Sequence, residues 1–409
     1  MEKNEENSYD VAVIGAGCMG SACARHLAEC YKGMKVCLIG PDEPTLPRSQ
    51  SGRSVFAAYY DQGRITRRLD ADPVWSRIAD RSISRYPHLQ ESTGIQYYSE
   101  VGSIIIGPKQ DIIWGKIEKC AKDLQINYNR LNNKDLKSRF PYLHLADDYI
   151  GFYEANSAGY ISPRGQVKAE IKAAMDNGCQ LIRDIVYQVQ RSQDGKFIIT
   201  TESNRVISSQ KIVVATGAFT LFKDIIPTDI RKKLAITCGT QTVVKLQVSE
   251  EELKDYTGMP CILHRNSSQQ NGDWYLLPPI LYPNGKYYIK IGHSKDFIRE
   301  INNYEHVLEW FHGTGDIEAK NTLVDIINHF LPHFKPVSIE SDCCAYTLTP
   351  HNHVMIGNIA EGMVLLTGGN GHAAKSADEL GRIGALTIMN ESWNYDISSE
   401  EFKLCLNSS

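Results

Sequence analysis

The chain has 409 residues, 42% hydrophobic and 22% charged, which exceeds one ordinary core and matches a globular enzyme better than a disordered or fibrous chain. A net charge of −4 with no long basic run argues against a nucleic-acid binder. The lack of any run of about 18 apolar residues argues against a membrane span.

The start, MEKNEENSYD, has neither the basic nor the apolar region of a signal peptide, and the ending CLNSS is not an S-K-L address. The expected compartment is therefore the cytoplasm, where the 11 cysteines stay reduced and a disulfide framework is not expected.

The first strong pattern is YDVAVIGAGCMGSACARHLAECYKGMKVCLI, residues 9–39. Val11 to Ile14 reads as a buried parallel strand, a helix follows to about Cys30, and Lys35 to Ile39 reads as a second strand. Between strand and helix lie Gly15, Gly17 and Gly20, the G-x-G-x-x-G spacing of a dinucleotide site. The first glycine permits the tight turn, the second lets a pyrophosphate approach the backbone, and the third permits close helix–strand packing. The acidic ribose contact is expected at the end of the second strand, which here is Gly40 in LIGPDEP; Asp42 or Glu43 is the nearest substitute.

Further along, ISPRGQVKAEIKAAMDNG reads as a helix closed by Gly178, and Ile185 to Val189 and Phe197 to Thr201 read as strands. KIVVATGAF is a buried strand entering a tight turn at Thr216 and Gly217. From about 225 to 335 the character changes: ITCGTQTVVKLQV, DWYLLPPIL and KYYIKIGH suit antiparallel strands, and EHVLEWFHG and TLVDIINHFLPHF suit amphipathic helices. MVLLTGG is again a buried strand. The expected architecture is α/β, α+β overall: a Rossmann-like cofactor domain from 1–84, 145–222 and 338–393, interleaved with a second domain on a largely antiparallel sheet from 85–144 and 223–337, with 394–409 as a tail.

Five further segments occur in order: Y-Y-D-Q-G-R-I-T-R (59–67), D-W-Y-L-L-P (273–278), Y-Y-I-K-I-G-H (287–293), C-A-Y-T (344–347) and G-G-N-G-H-A-A-K-S-A-D-E-L-G (368–381). With them the chain resembles the D-amino-acid-oxidase superfamily over roughly residues 9–390, most of all its sarcosine oxidase and N-methyl amino acid oxidase branch. The resemblance implies FAD, with Thr216 and Gly217 in a second cofactor signature and Gly369, Gly371, His372 and Lys375 at a helix start near the flavin. It implies Arg64 near the flavin's reactive edge, Arg67 and Lys375 on a substrate carboxylate, and Tyr60 and Tyr275 in the active site. Lys290 would provide the positive charge that helps O2 accept electrons. Cys344 would carry a thioether to the flavin, with Cys343 facing the other way in the same strand. The implied partners are a small amine and O2, and the implied state is a monomer.

Blander readings exist for each residue. Arg64 and Arg67 could begin a solvated basic helix, Tyr275 could be a sheet-face tyrosine, and Lys290 could alternate to solvent. Lys375 could pair with Glu379 one helical turn on. His351 and His353 beside the cysteines could bind a metal, although the second paired spacing of a zinc site is missing, so no metal is expected. The expected activity is oxidation of a carboxylate-bearing amine to an imine with O2 reduced to hydrogen peroxide. The alternatives are a dehydrogenase that passes electrons to a carrier and a redox sensor built on Cys343 and Cys344.

Overall fold

The apolar runs that read as buried strands form the middle of one sheet. In the computed structural model, which describes residues 7–407 apart from 271 and 294–295, five strands run parallel in the order Gln180–Ile182, Val36–Ile39, Ser8–Ile14, Val206–Val214 and Met363–Thr367. Val11 and Val13 face the helices Cys18–Cys30 and Ala377–Ile388, whereas Ala12 and Ile14 face a layer built from Ile225, Ile226, Leu234 and Ile236. Burial on both faces explains why these strands lack polar alternation. Residues 1–6 of the polar start and 408–409 of the tail lie outside the described residues.

The second sheet has nine strands, antiparallel except where Cys261–His264 runs parallel to Ser103–Pro108. Its long members, Thr237–Val248 and Ile339–Leu348, pair from Thr237 opposite Leu348 to Leu246 opposite Ile339. The helix Ile317–Phe330 covers one face with Leu323, Ile327 and Phe330 against Val244, Leu246, Ile289 and Ile291. Among the described residues no helix is long and apolar enough to cross a membrane.

Sheet membership departs from two of the expected boundaries. Tyr149–Glu154 pairs with Ser103–Pro108, and Ile339–Leu348 pairs with Thr237–Val248, so both belong to the nine-stranded sheet and not to the cofactor unit. Strand composition reports burial but not which neighbour provides it. The helix Pro73–Thr93 runs unbroken through the boundary expected at 84; Asp72 caps its start and Gly94, at φ +71°, ends it. The final segment is no loose tail: Ile397 and Phe402 are buried in the core of the parallel sheet.

Candidate functional site

A cavity of about 390 Å³ lies between the two sheets, lined by the ends of the parallel strands on one side and by the nine-stranded sheet on the other. The glycine loop is built for close approach. Gly15 has φ +112°, and a Cβ there would fall 2.3 Å from Ala215 O; a Cβ on Gly20 would fall 1.9 Å from Gly15 O. Gly17 instead borders the cavity with nothing within 4 Å of where its Cβ would be. The helix that starts at Cys18 has no side-chain cap and no acidic residue in its first turn, so its free N–H groups and positive dipole end suit an anion. Thr216 and Gly217, the latter at φ +54°, also line the cavity. These residues fit the pyrophosphate of a dinucleotide cofactor.

Asp42, expected at the cofactor ribose, is not among the residues that line the cavity. A Cβ at Gly40 would meet Ala16 N at 2.6 Å, so the strand end has no room for an acidic side chain. Asp42 lies outside the cavity and pairs with Arg183 at 2.7 Å, while Glu43 is held by Arg164. The carboxylate among the described lining residues is Asp184, just beyond the neighbouring strand Gln180–Ile182.

The adjacent cysteines face opposite ways, as strand alternation requires. Cys343 is buried and directs its thiol at Trp310 O, 2.8 Å away, and burial pushes its pKa up to about 11. Cys344 lines the cavity, and its carbonyl accepts a bond from Trp310 Nε1 at 2.8 Å. His353 lies 2.9 Å from Asp72 and 3.0 Å from Glu401, and His351 Nε2 lies 3.0 Å from Lys403 O. Among the described residues no three metal-ligating side chains converge.

Lys290 does not turn to solvent: it is 0% exposed. Nor does it line the cavity itself. Its ammonium donates to Asp61 Oδ2 at 2.6 Å and to Gly63 O. Arg64, which does line the cavity, binds the same Asp61 oxygen, and the Tyr282 hydroxyl donates to Asp61 Oδ1 at 2.8 Å. Burial holds the Lys290 pKa well below the usual lysine value, and the Arg64 charge pushes the same way. Tyr275 borders the cavity opposite Gly292, where a Cβ would strike its hydroxyl at 2.3 Å; burial pushes its pKa up to about 12.

Arg67 and Lys375 converge. Arg67 Nη1 and Lys375 Nζ each donate to Asp70 Oδ2 at 2.7 Å, and all three side chains are nearly buried. The alternative pairing of Lys375 with Glu379 is not taken; Glu379 binds Arg85 and Arg382 instead. The two cations hold the Asp70 carboxyl well below the ordinary range against a burial effect of opposite sign. His372 stacks on Trp75, and burial, with Lys375 beside it, pushes its pKa down to about 3, so it is neutral. Gly369 and Gly371 border the cavity next to it. Tyr60 also lines the cavity, and Arg53, Glu43 and Arg48 are among the charged groups that act on it.

A family model described as FAD dependent oxidoreductase, DAO, matches residues 10–385. The chain belongs to this family. It is 23% identical over 403 residues to the N-methyl-L-tryptophan oxidase of Yersinia pestis (strain Pestoides F), covering 96% of this chain and 98% of that one. Its fold is shared with the open form of NikD, described as an unusual amino acid oxidase essential for nikkomycin biosynthesis, at 20% identity and TM-score 0.77 over 98% and 99% of the chains. It is shared also with glycine oxidase from Geobacillus kaustophilus, at 15% identity and TM-score 0.73 over 98% and 100%. The expectation of an FAD-dependent, amine-oxidising enzyme is borne out at that level.

For an FAD dependent oxidoreductase, four members of this site went unread in the sequence: Asp61, Asp70, Gln241 and Arg265. Asp61 and Asp70 each stand three residues from the arginine they bind, a spacing that could have flagged them. Gln241 sits opposite Cys344 in the sheet and accepts from the Tyr346 hydroxyl at 3.2 Å. It and Arg265 carry no local motif and join the site only through strand pairing.

Proposed function

We propose that the enzyme oxidises the CH–NH bond of an amine bearing a carboxylate, with FAD tethered through Cys344 and O2 as electron acceptor, giving an imine and hydrogen peroxide. The carrying observation is the convergence of Arg67 and Lys375 on one carboxylate, that of Asp70. Two fixed cations, held by an internal acid, form a carboxylate clamp with donors to spare. An N-methyl amino acid, the substrate class in the name of the Yersinia relative, fits this reading.

Bound FAD would supply the two-electron acceptor. Within the chain, Arg67 and Lys375 anchor the substrate carboxylate and so orient its amine, which lowers the entropic cost of reaction. The helix start at Cys18, with no side-chain cap, would hold the cofactor phosphates. Arg64 and Lys290 concentrate positive charge on one side of the cavity, which favours an anion forming from O2. Cys344, which lines the cavity, would hold the flavin by a thioether through its Sγ. Water hydrolyses the released imine to a carbonyl compound and an amine.

The deciding experiment is the intact mass of acid-denatured protein with its visible spectrum, for wild type and Cys344→Ala. An added mass of one FAD in the wild type alone is the expected result. A yellow native protein without added mass removes the tether, and a colourless protein after expression with flavin overturns the flavoenzyme reading. The burial of Lys290 behind Asp61 favours one second reading, transfer of electrons to a carrier in place of O2. Peroxide formed in step with amine consumption excludes that reading.

A further inference from the structure

We propose that Arg265 is a second anion anchor in the same cavity, and that the substrate is an amine carrying two carboxylates. This rests on the carboxylate-clamp reading above and goes beyond it by naming the substrate class. Arg265 follows the strand Cys261–His264, and its backbone is fixed in the sheet: its N–H donates to Ile106 O at 2.9 Å. Its carbonyl lies where a Cβ on Gly107 would come within 2.0 Å, so the neighbouring strand approaches closely only because that residue is glycine. The side chain leaves this anchored point and lines the cavity together with Arg67 and Lys375.

The guanidinium there is poorly matched. It offers five donors in a planar fork. Its contacts are long, 3.4 Å to Asp273 Oδ2 and 3.5 Å to His264 O, whereas Arg67 and Lys375 each reach Asp70 at 2.7 Å. Asp273 is itself 37% exposed on its side chain and accepts at Oδ1 from the Asn266 N–H. Burial lowers the Arg265 pKa, and the Arg67 charge acts in the same direction. The Arg265 side chain is 19% exposed, so it reaches the cavity with donors that no short acceptor among the described residues occupies, and a ligand anion can take them.

Three cations, Arg67, Lys375 and Arg265, border the cavity against two internal acids, Asp70 at 2.7 Å from the first two and Asp273 at 3.4 Å from the third, and His372 is neutral. One substrate carboxylate at Arg67 and Lys375 balances that sum, and a second takes the Arg265 donors that Asp273 holds only at long range. Suitable ligands are N-methylated acidic amino acids and N-carboxyalkyl amino acids.

The test uses the FAD-loaded protein and ligands that it cannot oxidise. Binding of succinate and glutarate is compared with that of butyrate and pentanoate by the change in flavin absorbance, for wild type, Arg265→Met and Arg265→Lys. A charge-assisted pair predicts that the dicarboxylates bind roughly tenfold to a hundredfold more tightly in the wild type. Arg265→Met should remove that preference by weakening the dicarboxylates far more than the monocarboxylates, and Arg265→Lys should retain part of it. Should Arg265→Met fail to hold FAD, the drop in preference for Arg265→Lys decides. Equal binding of both classes to the wild type, or a preference that survives in both variants, overturns the second anchor. If neither class perturbs the flavin of a yellow protein, the clamp reading itself fails.

Discussion

Asp61 serves four donors: Arg64, Lys290, the Tyr282 hydroxyl and the Gln62 N–H. The pair with Lys290 matters most, because an ammonium with no exposure has no water to fall back on. Asp61→Asn should lower unfolding stability by about 3–5 kcal/mol, and Asp61→Asn with Lys290→Met should recover most of it. Urea titration of the three proteins checks this; an Asp61→Asn protein as stable as wild type would mean that Lys290 is neutral when buried. The sequence showed that Lys290 interrupts an apolar strand. It could not show the partner, because Asp61 lies 229 positions away. The opposed directions of Cys343 and Cys344 were legible for the contrary reason: alternation is a property of a single strand.

At the scale of elements, the strand–turn–helix at the start of the chain separates two uses of glycine. Gly20 sits against the Gly15 carbonyl, so Gly20→Ala should disturb the fold and lower the melting temperature. Gly17 has φ −85° and open space beside it, a conformation that alanine adopts freely. Gly17→Ala should therefore fold as wild type does but take up less FAD, seen as a lower flavin-to-protein ratio after expression. A Gly17→Ala protein with a full complement of flavin would show that the open space is not where the cofactor passes. Elements of this kind were readable because strand, turn and helix are contiguous. The membership of Tyr149–Glu154 and Ile339–Leu348 was not, because an apolar strand fits either sheet until its partners are known. The same limit hid Arg265, whose place beside Arg67 depends on Cys261–His264 aligning with Ser103–Pro108.

Across the whole molecule, His353 joins Asp72, which caps the helix Pro73–Thr93, to Glu401 of the final segment. Burial alone would lower its pKa; Asp72 and Glu401 outweigh burial and raise it above 6.5. A histidine with a raised folded pKa stabilises fully below its unfolded value of 6.5 and loses that contribution as pH rises through the folded value. The urea midpoint should fall as pH rises above 6.5 through the raised folded value, and His353→Asn should flatten that fall. An unchanged slope in the variant would remove His353 as the cause.

The helix Cys18–Cys30 packs on the helix Ala377–Ile388, with Gly381 against Ala22, and its Arg25 binds Glu170 at 2.5 Å and Asp378 at 2.7 Å. About 350 residues separate the two helices along the chain. At ribosomal speed the first helix therefore emerges roughly 20–70 s before the surface that covers it. Until the second helix is made, the nascent chain carries the apolar face of the first helix and Arg25 without the surface that covers them. A chaperone that shields that face would hold the protein during that interval.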